Sequence, residues 1–294
     1  METPSKINLF LQVTGKRPDS YHELDLLFYP LNTPSDTVVL DFSCSSGCGT
    51  NQESPVSIVT DSREDLGDPR NNLCVRAVRE YFNCAGQDTP FCQIRLKKRI
   101  PVAAGMGGGS SDAASVLLQL QEHYHLLDPD TLKQAALNLG ADIPYFLNPV
   151  AARAKGVGEK LEELHGIPSS LPLLLAAPCF PVLASWAYRH LDWQETGKDT
   201  RTCGEMIEAL QHRDLCRISD LMRNDLAPAL WRKFPVLTVI ADAMRQTGAL
   251  NVQITGSGPT LFSLYPDFKT CKEAEKILQE QLDPSVRIIR PFDS

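Results

Sequence analysis

The sequence lacks any run of about 18 apolar residues, so we expect no helix that spans a membrane. Its first residues, METPSKINLFLQV, carry neither the basic start and cleavage site of a signal peptide nor the composition of a transit sequence. Positive charge is also scarce, because 29 Lys and Arg stand against 36 Asp and Glu and give a net charge of -7. A nucleic-acid partner would require a basic face. These absences predict a cytoplasmic protein that binds neither a membrane nor nucleic acid.

The cysteines form no recognisable framework. Nine of them are scattered along the chain, and none belongs to a C-x-x-C pair. An odd number without a framework is typical of reduced thiols in the cytosol. Cys44 and Cys48 could form half of a metal site, but no matching pair of Cys or His follows them. We therefore favour two ordinary thiols at these positions.

The chain has 294 residues, which suits one large domain or two of moderate size. Alternation and β-branched residues predict strands at 6–14, 37–42, 55–60, 91–98, 171–178 and 285–292, with a hairpin at 251–265. Helical spacing predicts helices at 71–86, 111–126, 129–140, 203–212, 214–224, 232–247 and 269–282. Strands and helices mix without strict alternation, which favours an α+β fold. The proline-rich character after residue 150 predicts two domains, 1–150 and 151–294.

The stretch PVAAGMGGGSSDAASVLLQL at 101–120 places glycines directly before a helix-forming segment. Glycine adopts positive φ without steric cost, so successive N–H groups can point into one concavity. Ser110 or Ser111 is the expected N-cap of the helix that follows. A helix start combines unpaired N–H donors with the positive end of the helix dipole, and it therefore attracts phosphate.

Two known phosphate-loop patterns do not fit this stretch. No lysine follows the glycines as in G-x-x-x-x-G-K-[ST], and the spacing from Gly105 and Gly107 lacks the third glycine of a dinucleotide fingerprint. A flexible connection between two elements is the plain alternative. Because a simple connection does not require four glycines and two serines before a helix, the residues favour an anion-binding loop.

Three motifs read together resemble the GHMP family of small-molecule kinases. They are PSKINLFL at 4–11, PVAAGMGGGSSDAA at 101–114 and ITGSGPTLFSLY at 254–265. Four further segments are similar to the branch of that family that acts on 4-diphosphocytidyl-2-C-methyl-D-erythritol: SYHELDLLFYPLNTPSDTV, LGADIPYFL, ARAKGVGEKLEEL and RNDLAPAL. The resemblance implies a two-domain α+β GHMP kinase fold, with an N-terminal domain like ribosomal protein S5 and a ferredoxin-like C-terminal domain.

The resemblance implies that Lys6 and Asp142 are the catalytic pair. A positioned carboxylate such as Asp142 can accept the proton of the substrate hydroxyl in phosphoryl transfer. Lys6 can keep that carboxylate ionised and offset charge on the moving phosphoryl group. From the residues alone, a surface lysine and a helix-cap or turn aspartate are the favoured alternatives.

The resemblance also implies a binding site for ATP and Mg²⁺. The residues around the phosphates would be Pro101, Val102, Ala103, Ala104, Gly105, Met106, Gly107, Gly108, Gly109, Ser110 and Ser111. A second glycine turn, formed by Thr255, Gly256, Ser257 and Gly258, would line the opposite side, although a plain hairpin loop is the alternative there. Ser110 or Ser111 would lie near the magnesium ion, which phosphate oxygens and water would largely hold.

Substrate recognition is implied for Tyr21, His22 and Asn8. The ring of Tyr21 would stack on cytosine, His22 would form a hydrogen bond to the base, and Asn8 would contact the methylerythritol hydroxyls or the histidine. A core tyrosine and a polar residue at a strand end are the alternatives. A second aromatic contact is expected near PVLASWAYRHLD at 181–192, with Phe180 and Trp186 as equal candidates.

Four positions depart from the pattern of this branch. Ser20 and Ala103 replace usual glycines, and Leu183 and Ala184 replace a Ser-Thr pair. The last two departures change the residues expected along one wall of the base pocket.

Together the motifs imply direct phosphorylation of the 2-hydroxyl of 4-diphosphocytidyl-2-C-methyl-D-erythritol by ATP, a step of non-mevalonate isoprenoid precursor synthesis. The alternatives are another GHMP kinase with a different alcohol acceptor, a non-catalytic nucleotide-binding module and a dinucleotide oxidoreductase. The presence of both Lys6 and Asp142 argues against the non-catalytic module. We expect a small-molecule substrate, and a monomer or a weak homodimer.

Overall fold

The structure is a computed structural model, and it describes residues 1–19, 21–42, 55–62, 66–196 and 198–292. Ser20, Cys44 and Cys48 lie outside these ranges. Inside them, six cysteines are free thiols: Cys74, Cys84, Cys179, Cys203, Cys216 and Cys271. Across the same ranges, no helix combines the length and the apolar character that crossing a membrane requires.

The chain folds into two compact units that do not follow chain order. The first unit comprises residues 1–5, 35–102 and 107–149, and the second comprises residues 6–34, 103–106 and 150–294. Two long strands, β1 (Glu2–Lys16) and β2 (His22–Asp41), therefore contribute residues to both units. The division into domains at residue 150 stays a prediction.

In the first unit, helices pack together beside a small sheet. The strands are the end of β2, β3 (Val56–Thr60) and β4 (Cys92–Lys97), and the helices are α1 (Leu73–Cys84), α2 (Gly108–Tyr124) and α3 (Pro129–Leu139). β4 runs antiparallel to β2 and parallel to β3. Helix α1 packs against both α2 and α3. Alternate residues of β4 are buried, as its predicted half-buried pattern requires.

Local signals account for the bounds of the helices in this unit. The side chain of Asn72 accepts a hydrogen bond from the N–H of Cys74 and begins α1. Asp128 accepts from the N–H groups of Asp130 and Thr131 and begins α3, and Gly140 ends it. These caps satisfy donors that a helix start leaves without partners. The predicted helices at 71–86 and 129–140 are confirmed.

The second unit contains two sheets and six helices within the described ranges. Its strands are β5 (Ala152–Gly156), β6 (Lys160–Glu163), β7 (Leu173–Ala177), β8 (Arg223–Asn224), β9 (Asn251–Ile254), β10 (Leu261–Leu264) and β11 (Arg287–Ile289). Its helices are α4 (Ala184–Arg189), α5 (Cys203–Gln211), α6 (Leu215–Leu221), α7 (Ala227–Lys233), α8 (Val236–Gln246) and α9 (Phe268–Gln281).

The strands of the second unit belong to two sheets. One is the part β6–β5–β2–β1–β8 of a seven-stranded sheet to which β4 and β3 also belong, and the other is a four-stranded sheet with the order β11–β7–β10–β9. β7 is a central strand of the second sheet, and all of its residues are buried. This position explains the continuous apolar run that predicts a strand there. The mixture of strands and helices confirms the predicted α+β class.

The predicted helix at 232–247 is wrong in its bounds. Helix α7 ends at Lys233, and α8 begins after Pro235. Proline has no N–H to donate within a helix and is well placed at a helix start, so the chain makes two helices.

Candidate active site

Lys6 and Asn8 lie side by side on β1, within the second unit. Strand residues two positions apart share a face, and Lys6 Nζ donates to Asn8 Oδ1 at 2.6 Å. Both side chains are buried, and Nζ also lies 5.0 Å from the centre of the Phe28 ring. A buried ammonium requires polar or charged partners. The alternative of a surface lysine at position 6 is therefore wrong.

The turn between β9 and β10 is hydrogen-bonded to the strand that carries Asn8. The N–H of Asn8 donates to Thr255 Oγ1 at 3.0 Å. Within the turn, the N–H of Thr255 donates to the carbonyl of Thr260 at 3.0 Å, and the N–H of Gly258 donates to the carbonyl of Thr255 at 2.9 Å. The glycine turn at 255–258 thus has a defined conformation and a fixed contact with β1.

The front part of the glycine loop, residues 103–106, packs against this turn in the same unit. Gly105 has a φ of +77°, and a Cβ atom there would lie 2.2 Å from the carbonyl oxygen of Thr255. Only glycine fits so close a backbone approach. The carbonyl of the next residue, Met106, accepts from the N–H of Lys6 at 3.1 Å. The second unit therefore brings Lys6, Asn8, Gly105 and Thr255 together.

The rest of the glycine loop belongs to the first unit and begins α2. Gly107 has a φ of +75° and is the N-cap, so the helix starts at Gly108. The prediction that Ser110 or Ser111 caps this helix is wrong. Glycine adopts the left-handed conformation at no steric cost, which lets the helix begin before the serines and places both of them in its first turn.

The first turn of α2 offers polar groups that have no partner within the helix. The leading N–H groups of a helix have no preceding carbonyl to donate to. The hydroxyl of Ser111 is buried and has no hydrogen-bond partner within the described ranges. A phosphate oxygen, or water bound to a magnesium ion, would supply the missing partner. The residues present therefore fit an ATP phosphate together with Mg²⁺.

A buried charged cluster supports the start of α2 within the first unit. Lys98 Nζ donates to Asp112 Oδ2 at 2.8 Å and also forms a close ion pair with Asp36. Asp112 in turn accepts from the hydroxyl of Thr3 at 2.9 Å. Burial is the main cause that raises the pKa of Asp112 to about 6, and the charge of Asp36 acts in the same direction. Sequence reasoning missed this cluster, because its residues are far apart in the chain and no sequence motif predicts that they are in contact.

Asp142 lies in the first unit, between the end of α3 and a short 3₁₀ helix, Pro144–Leu147. It is partly exposed, whereas Tyr145 on the adjoining turn is buried. Burial, followed by the charge of Asp142, raises the pKa of Tyr145. Asp142 is therefore close enough to Tyr145 for its charge to act on the phenol. Lys6 belongs to the other unit, so their pairing stays a prediction.

Tyr21 and His22 lie where β1 turns into β2. Tyr21 is 62% exposed, so the alternative of a core tyrosine is wrong. The ring of His22 stacks with Tyr188, at 5.2 Å between centroids, and with Trp193, at 5.7 Å. Burial, followed by the positive charge of Lys16, lowers the pKa of His22 from 6.5. A neutral imidazole both donates and accepts hydrogen bonds, as recognition of a base requires.

The aromatic neighbours of His22 differ from the two candidates named from the sequence. Phe180 and Trp186 both pack against Phe234, with ring centroids 5.1 and 5.7 Å away. Tyr188 and Trp193 are the aromatic residues stacked on His22. Tyr188 lies within PVLASWAYRHLD, the segment in which the sequence predicts a second aromatic contact, so a signal for it existed.

Comparison with known proteins identifies the family. Residues 72–148 match the GHMP kinases N terminal domain, and residues 206–283 match the GHMP kinases C terminal domain. A 4-diphosphocytidyl-2-C-methyl-D-erythritol kinase from Pelotomaculum thermopropionicum is 33% identical over 293 residues, which cover 98% of this chain and 96% of that protein. The enzyme of the same name from Granulibacter bethesdensis is 36% identical over 280 residues, covering 95% and 89%.

Solved structures agree with this assignment. A crystal structure of 4-(cytidine 5'-diphospho)-2C-methyl-D-erythritol kinase superposes with a TM-score of 0.77 at 34% identity, and 98% of this chain and 97% of that chain are covered. A mevalonate kinase of L. major in complex with R-mevalonate has a TM-score of 0.69 at 16% identity, covering 100% and 96%, and shows the shared fold. The chain belongs to the GHMP kinase family of small-molecule kinases and, within it, to the 4-diphosphocytidyl-2-C-methyl-D-erythritol kinases.

Proposed function

We propose that this chain transfers the terminal phosphoryl group of ATP to the 2-hydroxyl of 4-diphosphocytidyl-2-C-methyl-D-erythritol. Relatives named for that activity match the chain over nearly its full length. The observation that carries the proposal is the buried contact of Lys6 and Asn8 with the two glycine segments at Gly105 and Thr255. A lysine, an amide and two closely packed glycine backbones suit a site for a phosphorylated substrate.

ATP binds through its phosphates to the two glycine segments. Residues 101–111 supply N–H donors and the start of α2, and residues 255–258 supply the second backbone wall. The fixed helix dipole and backbone donors stabilise negative charge without rearrangement. Ser110 or Ser111 would lie near Mg²⁺, which phosphate oxygens and water would largely hold, and the orphaned hydroxyl of Ser111 supports this placement. When bound, the ion neutralises charge on the phosphate oxygens.

The residues of the reaction are Asp142 and Lys6. The oxygen of the acceptor hydroxyl forms a bond to the terminal phosphorus of ATP, and its proton passes to a carboxylate oxygen of Asp142. The bond from that phosphorus to the bridging oxygen breaks, and ADP leaves with both electrons of the bond. Lys6 offsets negative charge on the moving phosphoryl group, while Asn8 orients the Lys6 ammonium. Transfer is direct, with no phosphorylated enzyme.

The cytosine moiety binds at the end of β1. Tyr21 is exposed and available to stack on the base, and His22 forms a hydrogen bond to it. The rings of Tyr188 and Trp193 stack on the imidazole of His22 and form an aromatic wall beside it. Aromatic stacking is worth about 1–3 kcal/mol per base. Asn8 contacts the methylerythritol hydroxyls.

We also infer where the reaction takes place. The free thiols of buried cysteines such as Cys74, Cys203 and Cys271 support a cytoplasmic location. We infer a monomer or a weak homodimer that requires no macromolecular partner.

The test is an acceptor screen with ATP, Mg²⁺ and the purified full chain, in which ADP release is followed. The acceptors are 4-diphosphocytidyl-2-C-methyl-D-erythritol, mevalonate and homoserine, each at several concentrations. We expect kcat/KM for the diphosphocytidyl alcohol to exceed the others by about 10³-fold or more, because only it engages the aromatic site.

Two other results of the screen would each contradict the proposal. A higher kcat/KM for mevalonate or homoserine would support a GHMP kinase with a different alcohol acceptor. ATP binding without ADP release from any acceptor would support the non-catalytic module.

A further inference from the structure

The motif RNDLAPAL resembles the family but has no role in the chemistry above. Its second residue, Asn224, is 5% exposed and uses every polar atom of its side chain. Nδ2 donates to the carbonyls of Ile254 and Gly256, both at 2.8 Å, and Oδ1 accepts from the N–H of Leu226 at 2.9 Å. One side chain thus joins β8 to the last residue of β9 and to the glycine turn.

The residues on either side of Asn224 fix β8 in place. The N–H of Asp225 donates to the carbonyl of Leu11 at 3.0 Å, and its carboxylate accepts from the N–H of Val13 at 2.8 Å. Arg223 is fully buried and donates to the Asp225 carboxylate at 2.7 Å. Side chains alternate along a strand, so the residue between these two is directed to the other side. The strand is anchored, and Asn224 is held firmly.

The turn that Asn224 holds has little freedom to move without disturbing the site. A Cβ atom at Gly256 would lie 2.8 Å from the carbonyl oxygen of Gly105 and 3.3 Å from Asn8 Oδ1. The hydroxyl of Thr255 accepts from the N–H of Asn8. The carbonyls that Asn224 binds therefore belong to a backbone segment packed against both the glycine loop and the strand of Lys6.

We propose that Asn224 is a positioning residue for phosphate binding, which acts by fixing the turn at 255–258 against Gly105 and Asn8. It contacts neither ATP nor the acceptor. The inference rests on the proposed function, because the turn is there assigned to the ATP phosphates. Two donors to two carbonyls of one backbone segment set both its position and its orientation, which a single contact would not do.

The experiment compares three variants of the full chain. Asn224→Ala removes both donors, and Asn224→Asp keeps the shape but turns an oxygen toward two carbonyl oxygens. Asn251→Ala is the matched control, because Asn251 donates to the carbonyl of Ser219 at 2.6 Å from the opposite end of β9. For each protein we measure affinities for adenosine, ADP and ATP by calorimetry, together with kcat, both KM values and the melting temperature.

In both Asn224 variants we expect ATP affinity to fall about tenfold, the equivalent of one to two lost hydrogen bonds, with adenosine affinity within about twofold of wild type. The KM for ATP rises and kcat falls, most strongly for Asn224→Asp. Asn251→Ala leaves all of these values within about twofold. If Asn224 only stabilised the fold, its replacement would lower the melting temperature and would change the affinities for ATP and adenosine equally.

Three outcomes would overturn the inference: equal losses of adenosine and ATP affinity, unchanged ATP affinity in a folded variant, or Asn224 variants that are unfolded at 25 °C. Failure of the proposed function is distinguishable, because it would appear as absent turnover in the wild type. In that case the nucleotide affinities would still report on Asn224.

Discussion

The hydroxyl of Thr255 accepts a hydrogen bond from the backbone N–H of Asn8 at 3.0 Å, although 247 positions separate them in the chain. Both residues are buried, so no water can replace either partner. Two of the three motifs that resemble the GHMP kinases thus meet at one hydrogen bond.

Replacing the Thr255 hydroxyl should reveal the free-energy cost of leaving the Asn8 N–H without an acceptor. We expect Thr255→Val to lower the free energy of unfolding by about 1–3 kcal/mol, because the Asn8 donor would be left buried without an acceptor. Thr255→Ser keeps the hydroxyl and should lose under about 1 kcal/mol. Urea denaturation of the three proteins checks this, and equal losses in both variants would contradict it.

Alanine substitutions at Gly105 and Gly86 distinguish the stability cost of steric crowding from the cost of backbone strain. Both have positive φ, +77° and +64°, but a Cβ atom would meet Thr255 only at Gly105 and open space at Gly86. We expect Gly86→Ala to cost about 1 kcal/mol from strain alone and Gly105→Ala about 1–3 kcal/mol more from overpacking.

The same pair should differ in nucleotide binding. Gly105→Ala should also weaken ATP binding, which calorimetry measures, whereas Gly86→Ala should not. Similar ATP affinity in both variants would show that the close backbone contact is not needed for binding.

The carboxylate of Asp142, the proposed general base, can be replaced by an amide of nearly the same shape. Asp142→Asn should lower kcat by about 10²–10⁴-fold, because the amide cannot accept the proton of the hydroxyl, while ATP affinity stays nearly unchanged. Asp130→Asn, at an exposed position in the first turn of α3, is the control. Steady-state kinetics and calorimetry provide both readouts. Activity of Asp142→Asn within a few-fold of wild type would refute the assignment.

The raised pKa of Asp112 predicts how stability depends on pH. Its value of about 6 lies above the usual 3.9 of an unfolded chain, so between these values the folded state binds the proton more tightly. Its contribution to stability is therefore fully present below about pH 4 and is lost as the pH rises through about 6.

A variant that cannot titrate isolates this effect. The free energy of unfolding of wild type minus that of Asp112→Asn should fall from pH 4 to pH 7 in urea denaturation. Asp88→Asn, at an exposed position, is the control for the loss of one carboxylate. A wild-type advantage that grows with pH would instead mean that Lys98 dominates the Asp112 carboxylate.

The aromatic wall beside His22 can be tested against the candidates from the sequence. Tyr188→Leu should raise the KM for the diphosphocytidyl alcohol by up to roughly tenfold, because His22 would lose the ring that holds its imidazole in place for the base, with an unchanged KM for ATP. Phe180→Leu should leave both KM values unchanged, because Phe180 packs against Phe234. A larger effect at Phe180 than at Tyr188 would instead support Phe180 as the second aromatic contact to the base.

Elements with strong local signals were predictable from the sequence, and those that depend on partners were not. Helix α3 begins at Asp128 and ends at Gly140 because a cap and a stop lie within the segment itself. β8 has only two residues and exists because it pairs with Phe10 and Leu11. No local pattern encodes such a pairing, since propensity acts only within a short window.

The site followed the same rule. Motifs identified the glycine segments and Lys6, but they did not predict that Gly107 rather than a serine begins α2. The neighbours of His22 come from a separate segment of the chain, where Phe180 and Trp186 were equal candidates for the second aromatic contact. Packing distinguishes Tyr188 from Trp186, and packing is not visible in one sequence.

The interleaving of the chain between the two units limits how the protein can be divided. A fragment ending at residue 149 would contain β1 and the first half of β2 without β8 and β5, with which they pair. The complementary fragment would contain Thr255 without the Gly105 backbone on which it packs. A split version of this enzyme would therefore depend on reassembly of co-expressed pieces, and linker insertions near residue 150 would be tolerated better than separation there.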